Sequence, residues 1–79
     1  MTSTGLLLEL DHRIDELRDR IHVQNQRIAQ LELEGRDPSS ARDALTALEQ
    51  YLRETMRQRN QVARDLAHQQ WIESKRKLN

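Results

Sequence analysis

The chain has no cysteine and no phenylalanine, one tryptophan, one tyrosine, one proline and two glycines in 79 residues. Without cysteine there are no disulfides, no thiolate chemistry and no cysteine-based zinc site. That absence fits a reducing cytoplasm. Two aromatic residues cannot build a conventional aromatic core. Charge of one sign is also missing, because thirteen Lys and Arg balance thirteen Asp and Glu. A dedicated nucleic-acid binder usually shows a basic excess, so this balance argues against one. Long apolar runs are lacking too: "MTSTGLLLELDHR" holds only Leu6, Leu7 and Leu8 before charge intervenes. A signal peptide needs a longer apolar stretch and a membrane-spanning helix a much longer one. The expectation is a soluble, cytoplasmic protein with no membrane contact.

What is present is spacing. Apolar residues make up only 35% of the chain, and a third of it is charged. Such a composition would suggest disorder, but net charge is zero and the apolar residues are regularly placed. Leu7, Leu10, Ile14, Leu17, Ile21, Ile28 and Leu31 follow the 3-4 alternation of a coiled-coil seam, with Gln24 its one polar member. A second seam runs through Ala41, Leu45, Leu48, Leu52, Thr55, Arg59, Val62, Leu66 and Gln69. Between the two seams lies "ELEGRDPSSARDAL", with the only internal glycine-to-proline punctuation. Gly35 suits the left-handed residue that ends a helix, Asp37 an N-cap, and Pro38 the first helical position.

The fold class expected is all-α: an antiparallel two-helix coiled-coil hairpin that dimerises into a four-helix bundle. The chain forms one domain, with helix 1 over about 4–34, a turn at 35–37, helix 2 over about 38–75 and a basic tail at 75–79. Ser3 or Thr4 is the candidate cap of helix 1. A turn centred near Pro38 pairs residues whose numbers sum to about 76, bringing Leu31 to Leu45, Ile28 to Leu48, Ile14 to Val62 and Leu10 to Leu66. Charge favours the same antiparallel sense. Glu9–Arg20 carries five acids and three bases, and Met56–Ala67 three arginines and one acid. Glu32 with Arg42 and Arg13 with Asp65 are the flanking pairs expected.

Gln24, Thr55 and Arg59 are polar at seam positions. They can specify register and oligomeric state at a cost in stability, or form a polar pocket for a small anion or a carboxylate. Ala44, Tyr51, Met56, Ala63 and Ile72 widen the apolar face of helix 2, where a simple pair would place charge. With Trp71, the residues Tyr51, Met56, Ala63 and Ile72 are the candidate dimer or partner interface. Trp71 and Ile72 either fold over Leu6, Leu7 and Leu8 as an end cap or offer an aromatic anchor. Lys75, Arg76 and Lys77 are then its basic rim and a possible basic contact.

No catalytic residue, metal ligand or cofactor site is expected. His12, His22 and His68 lie outside the seam and no two share a face four residues apart. The serines sit near helix ends, where serine caps or solvates. The chain reads as a non-enzymatic protein-interaction or assembly module, its partner a second copy or another helical protein. The alternative is a small regulatory nucleic-acid binder using the helix 2 arginines and the basic tail.

The stretch "RIAQLELEGRDPSSARDALTALEQYL", Arg27 to Leu52, resembles short bacterial helical-hairpin proteins. Arg27, Ile28, Ala29, Leu31, Glu32 and Gly35 carry the likeness before the turn, and Ala44, Leu48 and Glu49 after it. Pro38 and the tryptophan-containing tail depart from that pattern. The resemblance implies a bacterial cytoplasmic hairpin with no activity attached.

Overall fold

The computed structural model describes residues 2–77. Two long helices, α1 (Ser3–Leu33) and α2 (Ser39–Lys77), pack along each other as an antiparallel hairpin. The molecule is a rod of 70 × 17 × 15 Å. Helix α1 is capped one residue earlier than expected. Thr2, not Ser3 or Thr4, caps it: its Oγ1 accepts from the Gly5 N–H at 3.0 Å.

The reversal is built by local chemistry. Gly35 takes φ +70°, the only positive φ among the described residues. The Gly35 N–H then donates to the Glu32 carbonyl (3.1 Å) and the Arg36 N–H to the Leu31 carbonyl (2.9 Å). These two bonds are the Schellman pattern that satisfies the last carbonyls of a helix. Asp37 starts α2, its Oδ1 accepting from the Ser39 N–H (3.0 Å) and hydroxyl (2.6 Å). Pro38 follows, its carbonyl accepting from the Arg42 N–H. The Ser39 hydroxyl and N–H, helped by the nearby Arg42 charge, hold the Asp37 carboxyl below its ordinary pKa. The expected Glu32–Arg42 ion pair closes the turn from the side at 2.6 Å.

Every expected seam residue of α1 is shielded relative to its neighbours, and those of α2 are shielded as far as Leu66, with Gln69 exposed. Leu10, Ile14, Leu17, Ala41 and Thr55 are the most deeply buried residues. Four of the five cluster where Leu10 to Leu17 of α1 pass Thr55, and Ala41 is buried near the turn. Thr55 is accommodated there because its hydroxyl donates to the Tyr51 carbonyl of its own helix at 2.8 Å, leaving only the methyl to pack. No buried side-chain nitrogen or oxygen among the described residues lacks a partner.

The register differs from the expected one. Asp11 pairs with Arg59, and Leu10 shares a hollow with Val62, so facing numbers sum to about 70–72 rather than 76. Leu10 thus faces Val62 instead of Leu66, and Leu17 stands by Leu48 and Tyr51 instead of Arg59. The reason lies in the loop. The Schellman turn and the Asp37 cap take up residues 34–38 symmetrically, which puts the centre of reversal at Arg36 and not at Pro38. Arg13 and Asp65 are offset by the same shift, and Asp65 bonds Gln61 instead.

Candidate interaction surface

Helix geometry distributes the residues beside each seam to two flanks. On one flank Arg13, Glu16, Leu17 and Arg20 of α1 stand opposite Ala44, Ala47, Leu48 and Tyr51 of α2, around a hollow of about 600 Å³. A hollow of about 500 Å³ continues it toward the open end, lined by Leu6, Leu10, Arg13, Gln58, Gln61 and Val62 with Arg57 at its edge. A third, of about 340 Å³, carries it toward the turn past Val23 and Leu48. Because neighbouring hollows share Arg13, Arg20 and Leu48, they form one groove with an apolar floor and a charged rim. Tyr51 projects from its edge, half exposed.

The other flank is polar. The Arg59 Nε donates to Asp11 Oδ1 at 2.8 Å, in a hollow completed by Ile14, Asp15, Arg18, Met56 and Asn60. Met56 is half-buried here, and Ala63, seven residues on, follows on the same stripe of α2. The expected interface residues are thus divided: Tyr51 belongs to the apolar groove, Met56 and Ala63 to the opposite flank. Ala47 and the α1 contributions, Leu6 and Leu10, belong to the groove and were not expected in it. For Ala47 the signal is its three-residue step from Ala44, beside Tyr51.

Gln24, Thr55 and Arg59 do not form a common pocket. The Gln24 Nε2 donates to the Ala41 carbonyl near the turn at 3.0 Å. Ala41 and Arg59 lie eighteen residues apart on α2, about 27 Å along the axis. The Arg59 guanidinium is already occupied by Asp11, and Thr55 is satisfied within its own helix.

Helix α2 is eight residues longer than α1, so its last two turns extend about 12 Å past the start of α1. Trp71 lies on this overhang and is 58% exposed. The end-cap arrangement over Leu6, Leu7 and Leu8 is not formed by Trp71. Its ring stacks on His68 (centroids 6.2 Å apart), and the Lys75 Nζ sits 4.7 Å from the ring centre. These partners are three and four residues away on the same helix, so the ring is held along α2 instead of across to α1. Ile72 is half-buried, and Lys75, Arg76 and Lys77 are exposed in the last turn, where cations complement the helix dipole.

Along the solvent side of α2 the residues Arg53, Arg57, Asn60, Arg64, His68, Trp71 and Lys75 recur every three or four positions, with no acid among them. Among the described residues no three His, Asp or Glu side chains are grouped to hold a metal ion, and no helix is long and apolar enough to cross a membrane. Compared with known proteins, the chain matches no family model, no curated protein and no solved structure.

Proposed function

We propose that the chain is a non-enzymatic interaction and assembly module of the bacterial cytoplasm that acts by packing helix against helix. The observation that carries this reading is the continuous apolar groove along one flank of the hairpin, walled by Leu6, Leu10, Leu17, Leu48 and Val62. A lone pair of helices covers each seam residue from one side only, and a chain of this size sits near the limit of what one core can stabilise. A third or fourth helix in the groove removes from water what the hairpin leaves open there: Leu6 and Tyr51, which are exposed, and the half-buried Leu48 and Val62.

Circular dichroism and light scattering over a hundredfold range of concentration test this. The expected outcome is helicity and thermal stability that rise with concentration, or that stay low until a partner helix is added. Tyr51→Glu, on the groove edge, removes the concentration dependence while changing the stability of the isolated hairpin by less than about 0.5 kcal/mol. A fully helical monomer whose melting point is high and independent of concentration overturns the reading.

The basic stripe of α2 supports a second reading, a nucleic-acid contact. Arg53, Arg57 and Arg64 line one shallow surface, and Trp71 and Lys75 extend it. Phosphate contacts from such a stripe make binding strongly salt-dependent. A mobility shift on mixed DNA and RNA that disappears with added salt supports it, and no shift at low salt overturns it.

A further inference from the structure

The rim of the groove carries a pattern with its own symmetry. Glu9, Arg13, Glu16 and Arg20 lie on one stripe of α1 at steps of four, three and four, with charges that alternate along it. Reversed end to end, the same series alternates with the opposite phase. An antiparallel copy laid against it therefore brings Glu9 to Arg20 and Arg13 to Glu16, each pair twice, about a point between Ile14 and Asp15. Among the described residues neither Arg13 nor Arg20 makes an ion pair within the chain, so both are free to do this.

We propose that the groove is filled by a second copy of this chain, packed antiparallel about a two-fold axis that passes between Ile14 and Asp15. The inference rests on the helix-packing reading above and names its partner and geometry.

Three further observations agree with the same axis. The Asp11–Arg59 pair fixes the local register, which puts the axis level with Thr55 and Met56 on α2. Glu54 and Arg57, an exposed ion pair within the chain (3.6 Å), then flank it symmetrically, so that each faces the other's counterpart and the pair is extended across the interface. The axis also exchanges the two large hollows. Tyr51, at the edge of the 600 Å³ hollow, comes level with residue 60 of the second copy, where the 500 Å³ hollow lies between Leu10 and Val62. The half-exposed ring of each copy thus has a cavity to enter.

The axis is finally near the midpoint of the rod, so the copies overlap almost end to end. Each eight-residue overhang lies beside the other copy's turn. A face 70 Å long and about 15 Å wide covers on the order of 1,000 Å² per copy, above the roughly 800 Å² per partner of a stable interface. The competing two-fold, with both turns at one end, keeps the hairpin's own register between copies. It sets Arg13 beside Arg57 and Glu16 beside Glu54, like charge against like.

The chain lacks cysteine, so a single Ser40→Cys label on the full chain reads the geometry without background. Dipolar distance measurement is expected to give about 45 Å between labels for the antiparallel dimer, against less than about 25 Å when both turns share an end. Charge reversal supplies the second arm. Arg13→Glu and Glu16→Arg each weaken the dimer roughly tenfold at low salt, with helicity at saturating concentration unchanged. The combined reversal Arg13→Glu/Glu16→Arg restores dimerisation to within about threefold of the original.

A short label distance, or a double reversal no better than the singles, overturns the proposed axis while leaving a self-associating module. A weakly helical monomer overturns it and leaves a different helical partner for the groove. A stable, fully helical monomer overturns both this inference and the reading on which it rests.

Discussion

On one flank of the hairpin Tyr51, Ala47 and Ala44 border a floor of leucine and valine, and on the other Arg59 is bonded to Asp11 with Arg18, Asp15 and Asn60 around them. Both flanks border the same seam and are offset from it by similar angles. They differ in where their free energy is obtained. The charged flank is complete, since its ion pair joins α1 to α2 within one chain. The apolar flank has no such closure: Leu10 and Leu17 are buried beneath it, but Leu6 and Tyr51 along it stay exposed until another surface covers them. A two-helix molecule can therefore be finished on one side and unfinished on the other, which gives it direction as a building block.

The largest effect tests what the flanks share. Leu17, 4% exposed, lies in the seam and also floors the groove. Leu17→Ala is expected to cost about 2–5 kcal/mol, enough to leave the hairpin largely unfolded in urea titration at low concentration. A smaller loss would mean that the seam is not the common foundation of both flanks.

Gly35→Ala separates hairpin stability from either flank. No atom lies within 4 Å of a Cβ built there, so the whole cost is the left-handed backbone conformation, about 1–2 kcal/mol. The melting point should fall while the charge pattern and groove of the folded fraction stay as they are. If self-association weakens more than this stability loss accounts for, the turn itself is part of the interface.

The charged flank is expected to be worth less than its geometry suggests. The Arg59 and Asp11 side chains are 37% and 44% exposed, so water and salt screen their attraction. A double-mutant cycle with Arg59→Ala and Asp11→Ala should give a coupling of at most about 1 kcal/mol, reduced in 1 M salt. A much larger coupling would make this flank, and not the seam, the main fastener between the helices.

The smallest effect belongs to Asp37, outside both flanks. Its carboxyl is held below the ordinary range by the Ser39 hydroxyl and N–H, so its contribution is present above its unfolded pKa and is lost as pH falls through the folded one. Thermal melts from neutral to acid pH should show a slight loss that Asp37→Ala removes. An unchanged acid slope in that variant would mean that the loss does not come from the Asp37 cap.

The helical hairpin was legible because its signals are local. The 3-4 spacing of Leu7 to Leu31 and of Ala41 to Leu66 marks the shielded stripes, and Gly35, Asp37 and Pro38 each do in the turn what their backbone chemistry prescribes. The register was less accessible. It depends on how many residues the Schellman turn and the cap consume together, and a shift of a few residues re-pairs every layer. The division of the flanks was hidden for a related reason. Tyr51 and Met56 both adjoin the seam, but five residues turn a helix by about 500°, leaving their side chains about 140° apart. The position of Trp71 followed from pairing with His68 and Lys75 on its own helix, where a cap across the hairpin was the alternative.

The unequal lengths of the two helices also make the open end a cantilever. Eight isolated residues would not hold a helix in water, because the first turn costs more than so few bonds return. Here the paired part of α2 supplies that first turn, and the extension continues its helix without a facing turn of α1. Stiffness at the tip is then inherited from the anchoring in the seam behind it. The sole indole of the chain is mounted on this beam, at Trp71, with an imidazole on one side and an ammonium on the other. The order of the indole's surroundings is thus set by how firmly the seam behind it holds α2.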